Sequence, residues 1–395
     1  MPAEFLIFGL TLAGVALFHR HALPIAATGL AAVIAFEWLF TQFPAGAGAS
    51  GLAAHAGHEW VTLVNLLLLL NGFALVARHF EESGVPAVLP RWLPDDWSGA
   101  FALLAIVFVM SSFLDNIAAA LIGGAMAHTL FRGRVSIGYV AAIVAASNAG
   151  GSGSVIGDTT TTMMWIKGVP PSAVLHAYLA AIPALAVFGI AAARRQQAYS
   201  PIVKDPEGGA AVDWVRLALT LLVLAAAIAV NVAVNLRLPA IADRFPFIGA
   251  TVALALIGTA WLRRPDWSVL PAAFRGSLFL LCLVANASLM PVESLPAPSW
   301  LTAFGLGFVS AFFDNIPLTA LALEQGGYDW GMLAYAVGFG GSMLWFGSSA
   351  GVAICSLYPE ARSTGRWLRE GWLVALAYVA GFAVLLATLG WRPGS

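Results

Sequence analysis

Two short strings recur in this chain, and both are costly to place where they stand. Asp115-Asn116-Ile117 lies inside one apolar stretch and Asp314-Asn315-Ile316 inside another. Downstream of each comes a glycine-rich string, Asn148-Ala149-Gly150-Gly151-Ser152 in the first case and Gly338-Phe339-Gly340-Gly341-Ser342 in the second. A carboxylate in hydrocarbon needs a compensating reason, and helix-breaking backbone at that depth is tolerated only where protein or water covers it. A chain that accepts both conditions twice is expected to be built from structural repeats, with a polar site where its broken helices meet.

Composition decides the solvent. Hydrophobic residues make up 60% of the 395 and charged residues only 10%, against roughly 25% charged in a soluble domain. That is too little charge to clothe a globular surface, so the chain reads as a polytopic membrane protein whose first partner is the lipid bilayer. A net charge of -1 gives no sign of a nucleic-acid partner. Cys282 and Cys355 both lie in apolar segments and read as small core residues, not as a disulfide. The opening Met-Pro-Ala-Glu lacks a basic region, so no cleaved signal peptide is expected.

Apolar runs that cross or nearly cross a bilayer fall at 3–18, 22–41, 60–78, 173–193, 213–234, 246–262, 276–290 and 370–389, the first of them short. Segments 138–166 and 331–358 read as single crossings unwound in the middle. Segments 99–130 and 300–325 carry Asp-Asn near their centres and read as re-entrant hairpins that enter and leave by one face. On that reading fifteen Lys and Arg fall on one side, among them Arg20, Arg78, Arg134, Arg195, Lys204 and Arg369. Only Lys167, Arg237, Arg244 and Arg392 fall on the other. This asymmetry makes the crowded side cytoplasmic and puts both termini outside. The expected fold is an all-α polytopic membrane protein of two inverted repeats, each with a re-entrant hairpin and a broken transmembrane helix. The first repeat is 1–195 and the second 213–395, joined by a cytoplasmic linker at 196–212. The glycine-rich stretch 44–58 reads as an extramembrane loop with little structure.

The chemistry concentrates at the repeated strings. Asp115-Asn116 and Asp314-Asn315 suit the N-cap of the second half-helix of each hairpin. A capping carboxylate remains an oxygen ligand for a cation, so the two roles coexist. The first break, Ser147 to Thr162, combines Gly150, Gly151, Ser152, Gly153 and Gly157 with Asp158 and the hydroxyls of Thr159 to Thr162. Glycines there are expected to free the backbone from the helix and expose carbonyls to a hard cation. Close helix packing would account for glycine, but not for an Asp followed by four threonines. The second break aligns at a constant offset: Gly340, Gly341, Ser342 and Gly347 match Gly150, Gly151, Ser152 and Gly157. Ser348 stands opposite Asp158, so the copies are unequal. His55 and His58 read as solvated loop histidines, Glu37 and Glu324 as acids snorkelling from segment ends, and Asn231 and Asn286 as interhelical hydrogen-bond partners.

At these motifs the chain resembles the ion-transporter superfamily and, within it, the NhaD-type sodium/proton antiporters. The strings that carry the resemblance are SNAGGSGSVIGDTTTTMMWIKG at 147–168, FFDNIPLTALAL at 312–323 and AYAVGFGGSMLWFGSSAGVAI at 334–354. It extends over most of 60–390 and is weak outside the motifs. The resemblance implies a scaffold region, a transport region that moves like an elevator, and a homodimer. By match to the motif it implies functional roles for Asp115, Asn116, Asn148, Asp158, Thr160, Asp314 and Asn315. The chain departs from the pattern after Asp115-Asn116, where Ile117, Ala118 and Ala119 stand in place of hydroxyl residues.

Residues and resemblance together lead to sodium or lithium/proton antiport by alternating access, in the inner membrane of a bacterium. Desolvation favours the protonated form of a carboxyl group, and a sodium ion held by the same oxygens displaces that proton. Asp158 is the expected exchanging group, with Asp115 and Asp314 beside it as sodium ligands, and no cofactor is expected beyond the transported ions. The alternative is an anion carrier of the same superfamily, for a carboxylate or arsenite, since half-helix N-termini suit anions. It meets no Arg or Lys at depth. An enzyme is not expected, because no His or Cys falls beside the acidic motifs.

Overall fold

The computed structural model describes residues 2–18, 21–203, 211–237, 241 and 244–394. Arg20, Lys204 and the linker segment 204–210 lie outside the described residues. Every regular element among the described residues is helical. Six helices among the described residues are long and apolar enough to span a bilayer. With these lengths and compositions the chain is an integral membrane protein of several crossings.

The first half contains α1 (Ala3–Leu17), α2 (Ala22–Phe40) and α3 (Gly48–Glu82). Next come the pair α4 (Trp97–Ser111) and α5 (Asn116–Leu130), the pair α6 (Ile137–Ser152) and α7 (Thr159–Ile166), and α8 (Tyr178–Tyr199). The second half begins with α9 (Trp214–Arg237), α10 (Phe247–Thr259) and α11 (Leu270–Ala287). The pairs α12 (Trp300–Ser310) with α13 (Asn315–Gln325) and α14 (Trp330–Gly340) with α15 (Ser349–Ile354) follow, and α16 (Thr364–Leu389) closes the chain. The order of long, paired and long helices is the same in both halves.

Two bodies result. In one, α3 packs against α9, α10 and α11, and α1 and α2 join it through α11. In the other, α6 is surrounded by α4, α5, α8, α14 and α16, and α12 packs on α14. They meet where α3 faces α5 and α7 and where α11 faces α13. Residues 139–152 of α6 and 331–340 of α14 are buried without exception. A helix that is apolar on every side and enclosed on every side makes the central element of its body.

Helix starts follow local chemistry. Asp96, Ser136, Ser299 and Asp329 each accept a backbone N–H of the first turn they precede, satisfying donors that the helix leaves open. The expected loop at 44–58 is helical from Gly48 onward. Its alanines, His55, His58 and Glu59 support a helix, and isolated glycines cost only about 1 kcal/mol each there. Helices α1 and α10 are shorter than the runs that suggested them; 15 and 13 residues correspond to roughly 22 and 20 Å of rise. Glu37 does not snorkel: it is 3% exposed, and its Oε2 has no hydrogen-bond partner. Asn286 is not an interhelical bridge either, since it is fully buried with both amide atoms unbonded.

The glycines assigned to the helix breaks serve mainly another purpose. Gly150, Gly151 and Ser152 still belong to α6, Gly340 ends α14, and Gly341 and Ser342 lie in a single tight turn. The irregular backbone comes later, at 153–158 and 344–348. None of Gly150, Gly151, Gly340, Gly341 or Gly347 has a left-handed backbone. Lack of space explains them instead. A Cβ on Gly150 would run into the Phe108 carbonyl oxygen of α4, and one on Gly340 into the Gly307 carbonyl oxygen of α12. Gly157 and Gly347 face the carbonyls of Ser111 and Ala311 in the same way. Each pair therefore crosses backbone against backbone, the contact that small residues permit within membranes. We expect Gly150→Ala and Gly340→Ala each to lower thermal stability in detergent, by about 1–3 kcal/mol for an overpacked site. Gly258→Ala, with nothing near its added Cβ, serves as the neutral control; equal melting of all three proteins would remove the close crossing as the reason for these glycines.

Candidate functional site

Four half-helices begin near the middle of the second body, and each is capped by the side chain preceding it. Asp115 accepts the Ile117 N–H at 3.2 Å, Asp158 the Thr160 N–H at 2.8 Å, Asp314 the Ile316 N–H at 3.1 Å and Ser348 the Gly351 N–H at 3.2 Å. The capping expected from sequence is present at Asp115 and Asp314, and Asp158 caps its half-helix as well. Asp158 and Ser348 occupy equivalent places, so the substitution of a hydroxyl for a carboxylate makes the two halves unequal.

Asp158 is 2% exposed and lies at the junction of both halves. Its Oδ1 accepts the backbone N–H and the hydroxyl of Thr160, each at 2.8 Å. Its Oδ2 accepts the Asn116 amide at 2.7 Å and the Asn315 amide at 3.4 Å. Those amides come from the first turns of α5 and α13, one from each half. Asn148 ties the halves a second time: its Oδ1 accepts Asn116 at 3.1 Å, and its Nδ2 donates to Ser342 at 2.9 Å and Ser348 at 3.0 Å. The structure thus joins Asn116, Asn148, Asp158, Thr160, Asn315, Ser342 and Ser348 in one buried hydrogen-bonded set. In so enclosed a place a half-satisfied network would be costly, and this one gives every member a partner.

The other two carboxylates stand apart from that set. Asp115 and Asp158 open onto one cavity of about 600 Å³, together with Thr159, Thr162 and the apolar side chains of α3, α5 and α11. Asp314 opens onto a separate cavity of about 250 Å³ and accepts the Ser349 hydroxyl at 2.8 Å. Among the described residues no three His, Cys, Asp or Glu side chains come close enough to hold one metal ion. Asp115 and Asp158 share one cavity, and Asp314 opens onto another. The carbonyls of the first break are also partly occupied. Thr161 donates to the Ser154 carbonyl at 2.6 Å and Thr162 to the Val155 carbonyl at 3.0 Å.

The two ends of the site differ. The larger cavity extends along α3 to Arg78 and Glu81. Arg78 there is held by Glu81, Glu82 and Asp266 at 2.7, 3.2 and 3.1 Å. The opposite end of α3 carries Glu59, 4% exposed, and 19 residues of helix put it roughly 28 Å from Arg78. Lys167, which ends α7, donates to Glu59 at 3.0 Å and to Glu324 of α13 at 3.0 Å. Glu324 thus pairs instead of snorkelling, and three elements are tied together at that end. His55 joins Ser288 at 3.0 Å and is not a free loop side chain.

Sequence reasoning missed the residues behind the first break. Ser112 and Tyr178 both donate to the Gly150 carbonyl at 3.2 Å, Tyr178 donates to Ser112 at 2.7 Å, and Ser154 donates to the Ser112 carbonyl at 2.6 Å. Ser112, one residue past the apolar α4, is the signal that could have pointed to this support.

No family model matches the chain. It is similar to two proteins of Arabidopsis thaliana. The one named Sodium/proton antiporter 1 is 27% identical over 369 residues, which cover 83% of this chain and 60% of that protein. The one named Sodium/proton antiporter 2 is 27% identical over 357 residues, 75% of this chain and 76% of that protein. The chain accordingly spans about 60% of the length of the first relative. Both are plant proteins and lend no support to a bacterial inner membrane. The fold and the site define a helical integral membrane protein with a buried carboxylate held by amides.

The Thr160 hydroxyl is the one side-chain donor to Asp158 supplied by the same half-helix. Loss of a hydrogen bond to a buried carboxylate costs about 1–3 kcal/mol. We expect Thr160→Val to lower the unfolding temperature in detergent and Thr160→Ser to restore it, as measured by tryptophan fluorescence. A Thr160→Ser protein no better than Thr160→Val would assign the role of Thr160 to its methyl group.

Proposed function

We propose that this protein exchanges sodium, or lithium, for protons across its membrane, as an NhaD-type antiporter of the ion-transporter superfamily. One observation carries the reading: Asp158, at the N-terminus of a half-helix, accepts amide donors from both halves and lies on the wall of a cavity open toward one end. The names of the two relatives support it independently. In the exchange, Asp158 takes up either a proton or a cation. Asn116 and Asn315 turn their N–H groups toward Oδ2. On cation binding an amide needs only to flip to present its oxygen, since Asn carries both an acceptor and donors. Asn148 and Thr160 stand within the same set, and Thr159 on the cavity wall, to complete the oxygen shell. Desolvation makes proton and cation compete for the one carboxylate, so binding of one expels the other.

The anion reading is weaker on this geometry. Half-helix N-termini bind anions when their N–H groups are open, but here three carry an Asp carboxylate as cap and the fourth carries Ser348.

We read the two bodies as scaffold and transport region. Helices α4 to α8 and α12 to α16 would carry the site past α3 and α11, in a homodimer. The Lys167–Glu59–Glu324 cluster supports a conformation closed at its own end and open at the Arg78 end. For the cavity to open on the other side, Lys167 must leave Glu59. The matched order of helices supports two repeats with hairpins at 99–130 and 300–325; their inverted, re-entrant arrangement with both termini outside rests on the loop charges.

In everted vesicles or proteoliposomes with a pH-sensitive dye, Asp158→Asn is expected to abolish sodium-dependent proton movement. Asp115→Asn and Asp314→Asn should keep exchange with weaker apparent sodium affinity, because Asn still caps the half-helix. Sodium, lithium, potassium and arsenite are compared in parallel. Robust exchange by Asp158→Asn would move the coupling site to the hairpins. Topology has its own test. In a background lacking Cys282 and Cys355, cysteines at Arg134 and Gly326 should react with an impermeant thiol reagent from opposite sides, and reaction from one side would remove the inverted arrangement.

A further inference from the structure

Three helix ends meet at the arginine-rich end of the second body: the start of α6, the end of α8 and the start of α16. Between them lies a groove of about 280 Å³ whose inner wall is Ala142, Phe188, Ala192, Leu373 and Val374. Arg195 and Arg369 line the same groove. Neither guanidinium makes a hydrogen bond or an ion pair to any described residue, unlike Arg78, Arg216 and Arg263, which are engaged by carboxylates. The one acid in the lining, Glu370, is already occupied: it accepts Arg366 at 3.3 Å and the Gly138 N–H at 3.3 Å. The groove therefore keeps two unspent positive charges above an apolar floor. On the outer faces of the helices that form it, Ile182, Trp372, Leu376 and Val379 are exposed, 40–58% each, the surface expected to lie against acyl chains.

We propose that this groove is a binding site for an anionic phospholipid. The phosphodiester lies between Arg195 and Arg369, and the start of one acyl chain lies on Phe188, Ala192 and Leu373. Arginine suits this occupant, because its planar donors match phosphate oxygens in pairs and it is more weakly hydrated than an ammonium. Basic pockets between membrane helices bind anionic headgroups on the cytoplasmic side, the side to which the loop charges assign this end. A zwitterionic lipid brings its own cation to the phosphate and gains less from two arginines. Because α8 and α16 pack against α6, the central helix of the site-bearing body, the lipid would hold together the body that carries Asp158.

The test uses the full chain purified in a neutral detergent and delipidated, with its unfolding temperature followed as defined lipid is added. Phosphatidylglycerol is expected to raise that temperature and phosphatidylcholine to leave it near the detergent value. The double variant Arg195→Gln/Arg369→Gln should lose the phosphatidylglycerol response while melting like the parent without lipid. Arg91→Gln/Arg264→Gln, at other positions on the same end, should keep the response. If the double variant does not fold, native mass spectrometry of the parent and of each single variant, Arg195→Gln and Arg369→Gln, counts retained phosphatidylglycerol directly, with fewer bound molecules expected in each variant. Equal stabilisation by phosphatidylcholine, an unchanged response in the Arg195/Arg369 variant, or undiminished retention in the single variants would overturn the assignment.

Discussion

The bond network around Asp158 depends on taking a carboxylate out of water without leaving it bare. A buried charge is tolerable only when hydrogen bonds replace its hydration. Here the replacement comes from four directions: the Thr160 backbone, the Thr160 hydroxyl, Asn116 and Asn315. Two of those donors lie on half-helices from opposite halves, so the carboxylate requires α5 and α13 to begin in the same place as α7 begins. The hairpin turns, the break at 153–158 and the backbone-to-backbone crossings at Gly150 and Gly340 all serve that convergence. Moving the start of α5 or α13 by one turn, about 5.4 Å, would take one of these donors away.

The inequality between the halves matters as much as their likeness. Both breaks end in a capped half-helix, but one cap is Asp158 and the other Ser348. Ser348 gives its helix the same N–H acceptor and turns its oxygen to Asn148. It contributes to the network without adding a second negative charge at the junction. Asp314 is a carboxyl group in the second half but opens onto a separate cavity. For the proposed exchange this concentrates proton and cation competition on one carboxylate, with Asp115 the other acid on the same cavity wall. In the proposed exchange, the ion pairs at the two ends of α3 would give the two conformations different costs. Glu59 is nearly fully buried, and parting Lys167 from it would expose an uncompensated charge, which is strongly unfavourable.

The helices could be read in the chain because hydrophobicity, capping chemistry and charge are local. The scarcity of charged residues required a membrane, and Asp115 and Asp314 stood as the caps that their neighbours demanded. The repeated Asp-Asn and glycine strings placed the functional candidates in two matched sets. Other features had no local signal. The helix through 48–58 depended on continuation of α3, and the pairing of Lys167 with Glu59 and Glu324 joins residues 108 and 157 positions apart. Glycine at 150 and 340 is the clearest case. A sequence shows that the side chain is missing, but whether this frees the backbone or admits a neighbour depends on what lies across the gap, and here a carbonyl of α4 or α12 lies there. By itself the sequence determined the solvent, the helices, their caps and the residue types available for a cation. The tertiary structure alone decided which of three carboxylates is shared by both halves, because the Asn116 and Asn315 amides reach Asp158 only once two distant hairpins have packed against one break.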